Sequence, residues 1–219
     1  MSDGTLYLGT KRYSSWSLRG WLAVRLAGLD VTEVVIPLAG GSTPAVKQAS
    51  PSGFVPYLEH QGIAVWDSLA IGEYCAELAP ALWPSHRAAR ATARAIAAEM
   101  HAGFRDLRTN MPMSLFRNAK GAGITEAVAA DIARIDQVWR DALARSSGPF
   151  LFGPTLTIAD AMYAPVVCRF LTYAPPLSDA AQAYCDAVRA HPLMQSWYND
   201  AAAEPQSWFI ARMETTLPA

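Results

Sequence analysis

Ser50-Pro51-Ser52-Gly53-Phe54-Val55-Pro56-Tyr57-Leu58-Glu59-His60-Gln61-Gly62-Ile63-Ala64-Val65-Trp66-Asp67-Ser68 is the stretch on which the fold turns. Residues 57–60 and 63–66 read as two short strands, and the Gln61-Gly62 pair between them leaves room only for a tight antiparallel hairpin. Asp67 and Ser68 carry the short oxygen side chains that open helices, and Ile71, Tyr74, Cys75 and Leu78 follow at helical spacing. The unit is therefore strand, strand, helix.

Upstream, residues 5–9 alternate toward a strand and residues 31–38 form a β-branched run. Between them Leu18, Trp21, Leu22 and Leu26 sit at helical spacing, with Gly28 as a C-terminal cap. A strand-helix-strand unit of about 30 residues suits a right-handed parallel crossover. Residues 44–49 read as a short helical or irregular segment. This βαβ unit followed by ββα is the order of a four-stranded thioredoxin-like α/β sheet. Pro80 and Pro84 then mark a linker near residues 79–86.

Beyond the linker the strand signals stop. Ile96, Met100, Phe104, Leu107 and Met111 predict one long amphipathic helix, and Val128, Ile132, Ile135, Trp139 and Leu143 another. Thr157-Ile158-Ala159-Asp160 is a capping-box arrangement with aspartate at the fourth place, opening a helix toward Tyr173 that Pro165 should kink. Residues 178–189 and 192–203 read as two final helices. The expected layout is a thioredoxin-like domain over residues 1–80 and an all-α bundle over residues 87–219.

The chain has 219 residues, 52% hydrophobic and 17% charged, with a formal net charge of −1. That balance belongs to a globular protein and offers no field to draw it to nucleic acid or an anionic membrane. The N-terminus lacks a signal-peptide pattern and no run is long enough for a membrane span, so a cytoplasmic location is expected. Cys75, Cys168 and Cys185 are widely spaced and form no CxxC, which predicts reduced core thiols and no zinc site. Gly-rich phosphate loops, HExxH and GxSxG are all missing from the sequence, and no metal is expected.

Three features can carry chemistry. The first is the hydroxyl-rich turn Tyr13-Ser14-Ser15-Trp16-Ser17-Leu18-Arg19, at the carboxyl end of the first strand, where open α/β sheets place ligands. A hydroxyl there can donate to an anion beside a helix N-terminus, or simply cap the helix. The second is Val55-Pro56, where a cis bond would present the Val55 backbone to an extended peptide ligand and a trans bond would merely enter an edge strand. The third is Asp67-Ser68, which serves either as N-cap or as ligand anchor.

Taken together and in this order, these features resemble the glutathione S-transferase family, and Leu156-Thr157-Ile158-Ala159-Asp160 is similar to the capping box of its helical domain. The resemblance implies glutathione as co-substrate, its cysteinyl backbone paired with Val55 before Pro56 and its γ-glutamyl end held by Asp67 and Ser68. The sulfur would face the serine turn, with Ser14, five residues before Arg19, as the activating hydroxyl and Ser15 in reserve. Tyr7 and Tyr13 are the tyrosine-type alternatives. Ser14-Ser15-Trp16-Ser17 is similar to the zeta-class Ser-Ser-Cys motif, with tryptophan in the place of cysteine, which weighs against maleylacetoacetate isomerase activity and leaves no thiol for disulfide exchange.

The activity so implied is attack of a glutathione thiolate on a small hydrophobic electrophile, the chemistry of detoxification. A glutathione-dependent isomerase and a non-catalytic binding protein of the same fold are the alternatives. The electrophile site is expected between the domains, with His101, Arg105, Arg108, Arg169 and Tyr173 as candidates. The family also implies a homodimer.

Overall fold

The computed structural model describes residues 2–217. Strands β1 (Gly4–Gly9), β2 (Thr32–Ile36), β3 (Tyr57–His60) and β4 (Ile63–Val65) form one sheet in the order β2-β1-β3-β4. β1 and β2 are parallel, while β1–β3 and β3–β4 are antiparallel. The Gln61-Gly62 turn has positive φ at both residues, 51° and 78°, the conformation a two-residue hairpin needs. Helices α1 (Ser15–Ala27), α2 (Pro44–Ala49) and α3 (Ser68–Leu78) complete this domain. Gly28 ends α1 in the left-handed region, as the sequence predicts.

A short 3₁₀ turn at Pro80–Leu82 leads into the helical domain. It contains α4 (Arg87–Ala102), α5 (Arg105–Asn110), α6 (Glu126–Leu143), α7 (Ile158–Tyr173), α8 (Asp179–Ala190), α9 (Pro192–Ala202) and α10 (Ala211–Glu214). One expectation fails here: residues 96–111 are not a single helix. Gly103 closes α4 and Phe104 takes a left-handed φ of 58°. The Arg108 side chain then folds back to donate to the carbonyls of Gly103, Met100 and His101, satisfying acceptors that the break exposes. The apolar spacing continues because both short helices face the same core, so periodicity alone passes over the break. The chain also does not end at α9, since a 3₁₀ turn at Gln206–Trp208 and α10 follow.

Helix α7 is the axis of the second domain. Fifteen of its sixteen residues are buried, and it continues through Pro165. Its start carries the predicted capping box: Asp160 accepts from the Thr157 N–H and hydroxyl, both at 2.8 Å. The α1 helix packs against it, with Arg19 Nε donating to the Met162 carbonyl at 3.0 Å. Gly20 on the same helix permits close approach to Pro56, since a Cβ there would lie 2.7 Å from the proline ring.

The loop after β1 is fastened to the helical domain through a buried lysine. Lys11 Nζ lies 2.7 Å from both Glu33 and Asp200 and 5.2–5.3 Å from the ring centres of Trp197 and Trp21. Glu33 also accepts from Trp21 Nε1 at 2.6 Å and pairs with Arg25. Burial pushes the Glu33 carboxyl up, but Lys11, Trp21 and Arg25 outweigh it and hold the group below its ordinary value of 4.5. A depressed carboxyl contributes stability above the unfolded-state pKa, lost as pH falls through the folded one. Glu33→Gln should therefore lower stability near neutral pH by about 1 kcal/mol, a value discounted for the solvent that reaches this group. The deficit should shrink below about pH 4, as urea unfolding followed across pH will check.

Candidate active site

A cavity of about 360 Å³ opens at the carboxyl edge of the sheet, between the domains. Ser52, Phe54, Val55, Pro56, Trp66, Asp67, Ser68, Trp16 and His101 line it. The Val55–Pro56 bond is cis. Four residues singled out from sequence for glutathione, Val55, Pro56, Asp67 and Ser68, thus stand in one wall. Helix α1 and helix α4 contribute Trp16 and His101 to it.

Asp67 is the N-cap of α3, where its Oδ1 accepts from the N–H groups of Leu69 and Ala70 at 3.0 and 3.2 Å. Its Oδ2 faces His101 Nε2 at 2.9 Å, a polar link across the two domains. Ser68 is 1% exposed and its hydroxyl has no partner within the protein, although it belongs to the cavity wall. An unpaired buried hydroxyl costs on the order of 1–3 kcal/mol, which a ligand group in the cavity can recover.

The serine turn adjoins this cavity through Trp16, and neither Ser14 nor Ser15 is among the residues that line it. Ser14 is the N-cap of α1: its Oγ accepts from the Ser17 N–H at 3.3 Å and donates to Ser17 Oγ at 2.8 Å. Ser17 Oγ in turn accepts from the Gly9 N–H at 2.9 Å, tying the helix start to β1. Ser15, the first residue of α1, is 8% exposed, and its side chain makes no hydrogen bond among the described residues.

The tyrosines are otherwise engaged. Tyr7 stacks on Tyr57 with ring centres 5.5 Å apart, and its hydroxyl points to Glu59. Tyr13 donates to Glu214 at 2.5 Å and accepts from the Ile210 N–H. Burial, with the Glu214 bond, pushes Tyr13 up to about 12. The thiols are no substitute: Cys75, Cys168 and Cys185 are free and buried, and burial pushes Cys75 and Cys185 up to about 12 and Cys168 to about 11.

The electrophile candidates divide. His101 reaches the cavity, and Arg108 stands behind it with its guanidinium 4.8 Å from the Trp16 ring centre. Arg169 is 3% exposed and bonded to the carbonyls of Met111 and Pro165. Arg105 lies on the outer surface of α5, and the buried Tyr173 hydroxyl donates to the Pro112 carbonyl. Of the five candidates only His101 lines the cavity; Arg105, Arg108, Arg169 and Tyr173 do not. Sequence reasoning treated Trp16 only as a departure from cysteine and Arg19 only as a spacing marker. The signal available was an arginine inside the apolar stripe of α1, a residue that must be buried with its charge.

Comparison with known proteins places this arrangement. Residues 13–78 match the sequence profile of the glutathione S-transferase N-terminal domain and residues 121–200 that of the C-terminal domain, so the chain belongs to the glutathione S-transferase family. Among solved structures, a glutathione transferase homolog from Burkholderia gl BGR1 with bound glutathione is 22% identical, with a TM-score of 0.71 covering 92% of this chain and 100% of that one. The theta class enzyme of Xanthomonas axonopodis pv. citri with glutathione bound is 24% identical, with a TM-score of 0.65 over 94% and 99%. Glutathione transferase E6 from Drosophila melanogaster is 20% identical, with a TM-score of 0.69 over 99% and 100%. A search of curated proteins finds no match.

Proposed function

We propose that the protein is a glutathione transferase that binds glutathione in the cavity and activates its sulfur through the hydroxyl of Ser15. The observation that carries the reading is the contrast between the two serines: Ser14 is consumed in capping α1, while the Ser15 hydroxyl, at the same helix N-terminus, has no hydrogen-bond partner among the described residues. Val55 supplies extended backbone for the cysteinyl residue, and Asp67 and Ser68 hold the γ-glutamyl end. The relatives with bound glutathione support the same ligand.

Binding converts the thiol to a thiolate stabilised by one hydroxyl donor and the partial positive charge of the helix end. The serine donates and is not itself the nucleophile. The thiolate attacks an electrophilic carbon held between the serine turn and the start of α5, the leaving group departs with the bonding pair, and the thiol proton passes to solvent. A tryptophan in the place of a thiol gives the site an aromatic wall, which favours conjugation over disulfide exchange. A homodimer in the cytoplasm completes the proposal.

Calorimetric titration with glutathione is the first test. Ser68→Ala should weaken binding about tenfold, while leaving the unliganded protein as stable or slightly more so, because an unpaired buried hydroxyl is removed. Unchanged affinity in that variant contradicts the placement. Rates with an activated aryl halide and with a cis-enone substrate separate conjugation from isomerisation.

A further inference from the structure

Three arginines cluster behind the Trp16 wall with no carboxylate in direct contact among the described residues, although Asp67 favours the charged form of Arg19 and Asp131 that of Arg108 from a distance. Arg19 is 1% exposed, and its Nη1 and Nη2 have no hydrogen-bond partner. Arg108 Nη1 is likewise buried and unpaired. The guanidinium carbons of Arg19 and Arg108 lie 4.5 and 4.8 Å from the centre of the Trp16 ring. Arg169 is close enough that it and Arg108 both disfavour the charged form of Arg19, in addition to burial. Among the described residues no carboxylate comes within 4.0 Å of any of the three. The carboxylate of Asp67 is spent on the α3 N-terminus and on His101.

Arg108 already donates through Nε and Nη2 to backbone carbonyls and Arg169 through Nε and Nη1, so the unpaired donors are both Nη groups of Arg19 and Nη1 of Arg108. Buried like charges with unpaired N–H groups are costly unless an anion joins them, and a planar carboxylate matches the Arg19 fork. Resting on the transferase reading above, we propose that this cluster is an anion subsite and that the electrophile carries a carboxylate, bound by Arg108 and Arg19 at the edge of Trp16. Trp16 is 38% exposed and lines the cavity, whereas the unpaired Nη atoms of Arg19 and Arg108 are enclosed behind it, so in this proposal an arene packs at the exposed part of the ring and its carboxylate meets those atoms as the Trp16 side chain turns aside. A matching substrate is a chloronitrobenzoate: the C–S bond forms at the carbon that bears chlorine, the C–Cl bond breaks, and chloride leaves with the electron pair.

The test is calorimetric binding of 4-chloro-3-nitrobenzoate and its neutral amide to the whole protein, with and without saturating S-methylglutathione, which has no thiol to react. The carboxylate should bind at least about tenfold more tightly than the amide in both conditions. Arg108→Gln should bring the ratio close to one; because Arg108 also satisfies the carbonyls at the α4 break, its fold is checked by circular dichroism and thermal unfolding, and Arg19→Lys, measured in parallel, should lower the ratio while keeping the charge. Comparable affinities for the two probes, or a preference untouched by Arg108→Gln, overturn the proposal. So does a preference that vanishes when S-methylglutathione saturates, because the forks then serve a carboxylate of glutathione. Failure of S-methylglutathione to bind at all, with the benzoate preference present, removes the glutathione reading and leaves the anion subsite standing.

Discussion

Asp160→Ala is expected to destabilise the protein by about 3–5 kcal/mol, enough to prevent accumulation of folded protein at 37 °C. The carboxylate is fully buried and gathers four donors. Oδ1 accepts from the Leu151 N–H at 3.0 Å and the Tyr184 hydroxyl at 3.1 Å, and Oδ2 from the Thr157 N–H and hydroxyl. One residue therefore ties the start of α7 to the loop before it and to α8. Truncation removes an N-terminal cap and strands buried donors together, and each stranded donor carries its full desolvation cost. Chemical denaturation of the purified variant at 15 °C reads the loss. Asp160→Asn, which keeps the shape and an acceptor but cannot accept from all four donors, should fall between the two. A loss below about 1 kcal/mol for the alanine variant would mean that α7 is held by its apolar faces alone.

Much of this was legible in the sequence because it depends on neighbours in the chain. The Gln61-Gly62 hairpin, the Asp67 cap and the Thr157-Asp160 box are all local, with period and capping chemistry that agree. What escaped depends on distance. Lys11 reads as a surface charge until Trp21, Trp197, Glu33 and Asp200 are brought around it from three elements, α1, β2 and α9. The contact of Tyr13 with Glu214 joins residues 201 apart, so the closing C-terminal segment left no trace near the turn it covers. The break at Gly103 did carry a signal, a glycine within a helical pattern, that the unbroken apolar spacing concealed.

Ser15→Ala is expected to lower the thiolate fraction of bound glutathione at pH 7 by about 25-fold. If the Ser15 hydroxyl carries the whole depression of a thiol of pKa about 8.5 by about 2 units, most of it is ionised at neutral pH with the donor and only a few per cent without it, and any share carried by the helix end, which the variant keeps, makes the loss smaller. Turnover should fall less than the ionised fraction. Nucleophilicity rises with pKa, and a Brønsted slope of about 0.45 returns about 8-fold, so ionisation accounts for about a 3-fold loss and mispositioning for any remainder. The sign with pH follows: the variant lags most below pH 7, and the gap closes toward pH 9 as both thiols ionise. Ser14→Ala should behave oppositely, losing about 1 kcal/mol of stability with its cap while keeping the depressed thiol pKa.

The measurement that bears most directly on the whole account is an ultraviolet difference titration of bound glutathione from pH 5 to 9, on the native protein and on Ser15→Ala, with saturation verified by direct binding. The account predicts a thiolate band with a midpoint near pH 6.5 in the native protein, displaced to about 8.5 in the variant. Saturated binding with no thiolate below about pH 8, or a midpoint that Ser15→Ala does not move, would contradict it.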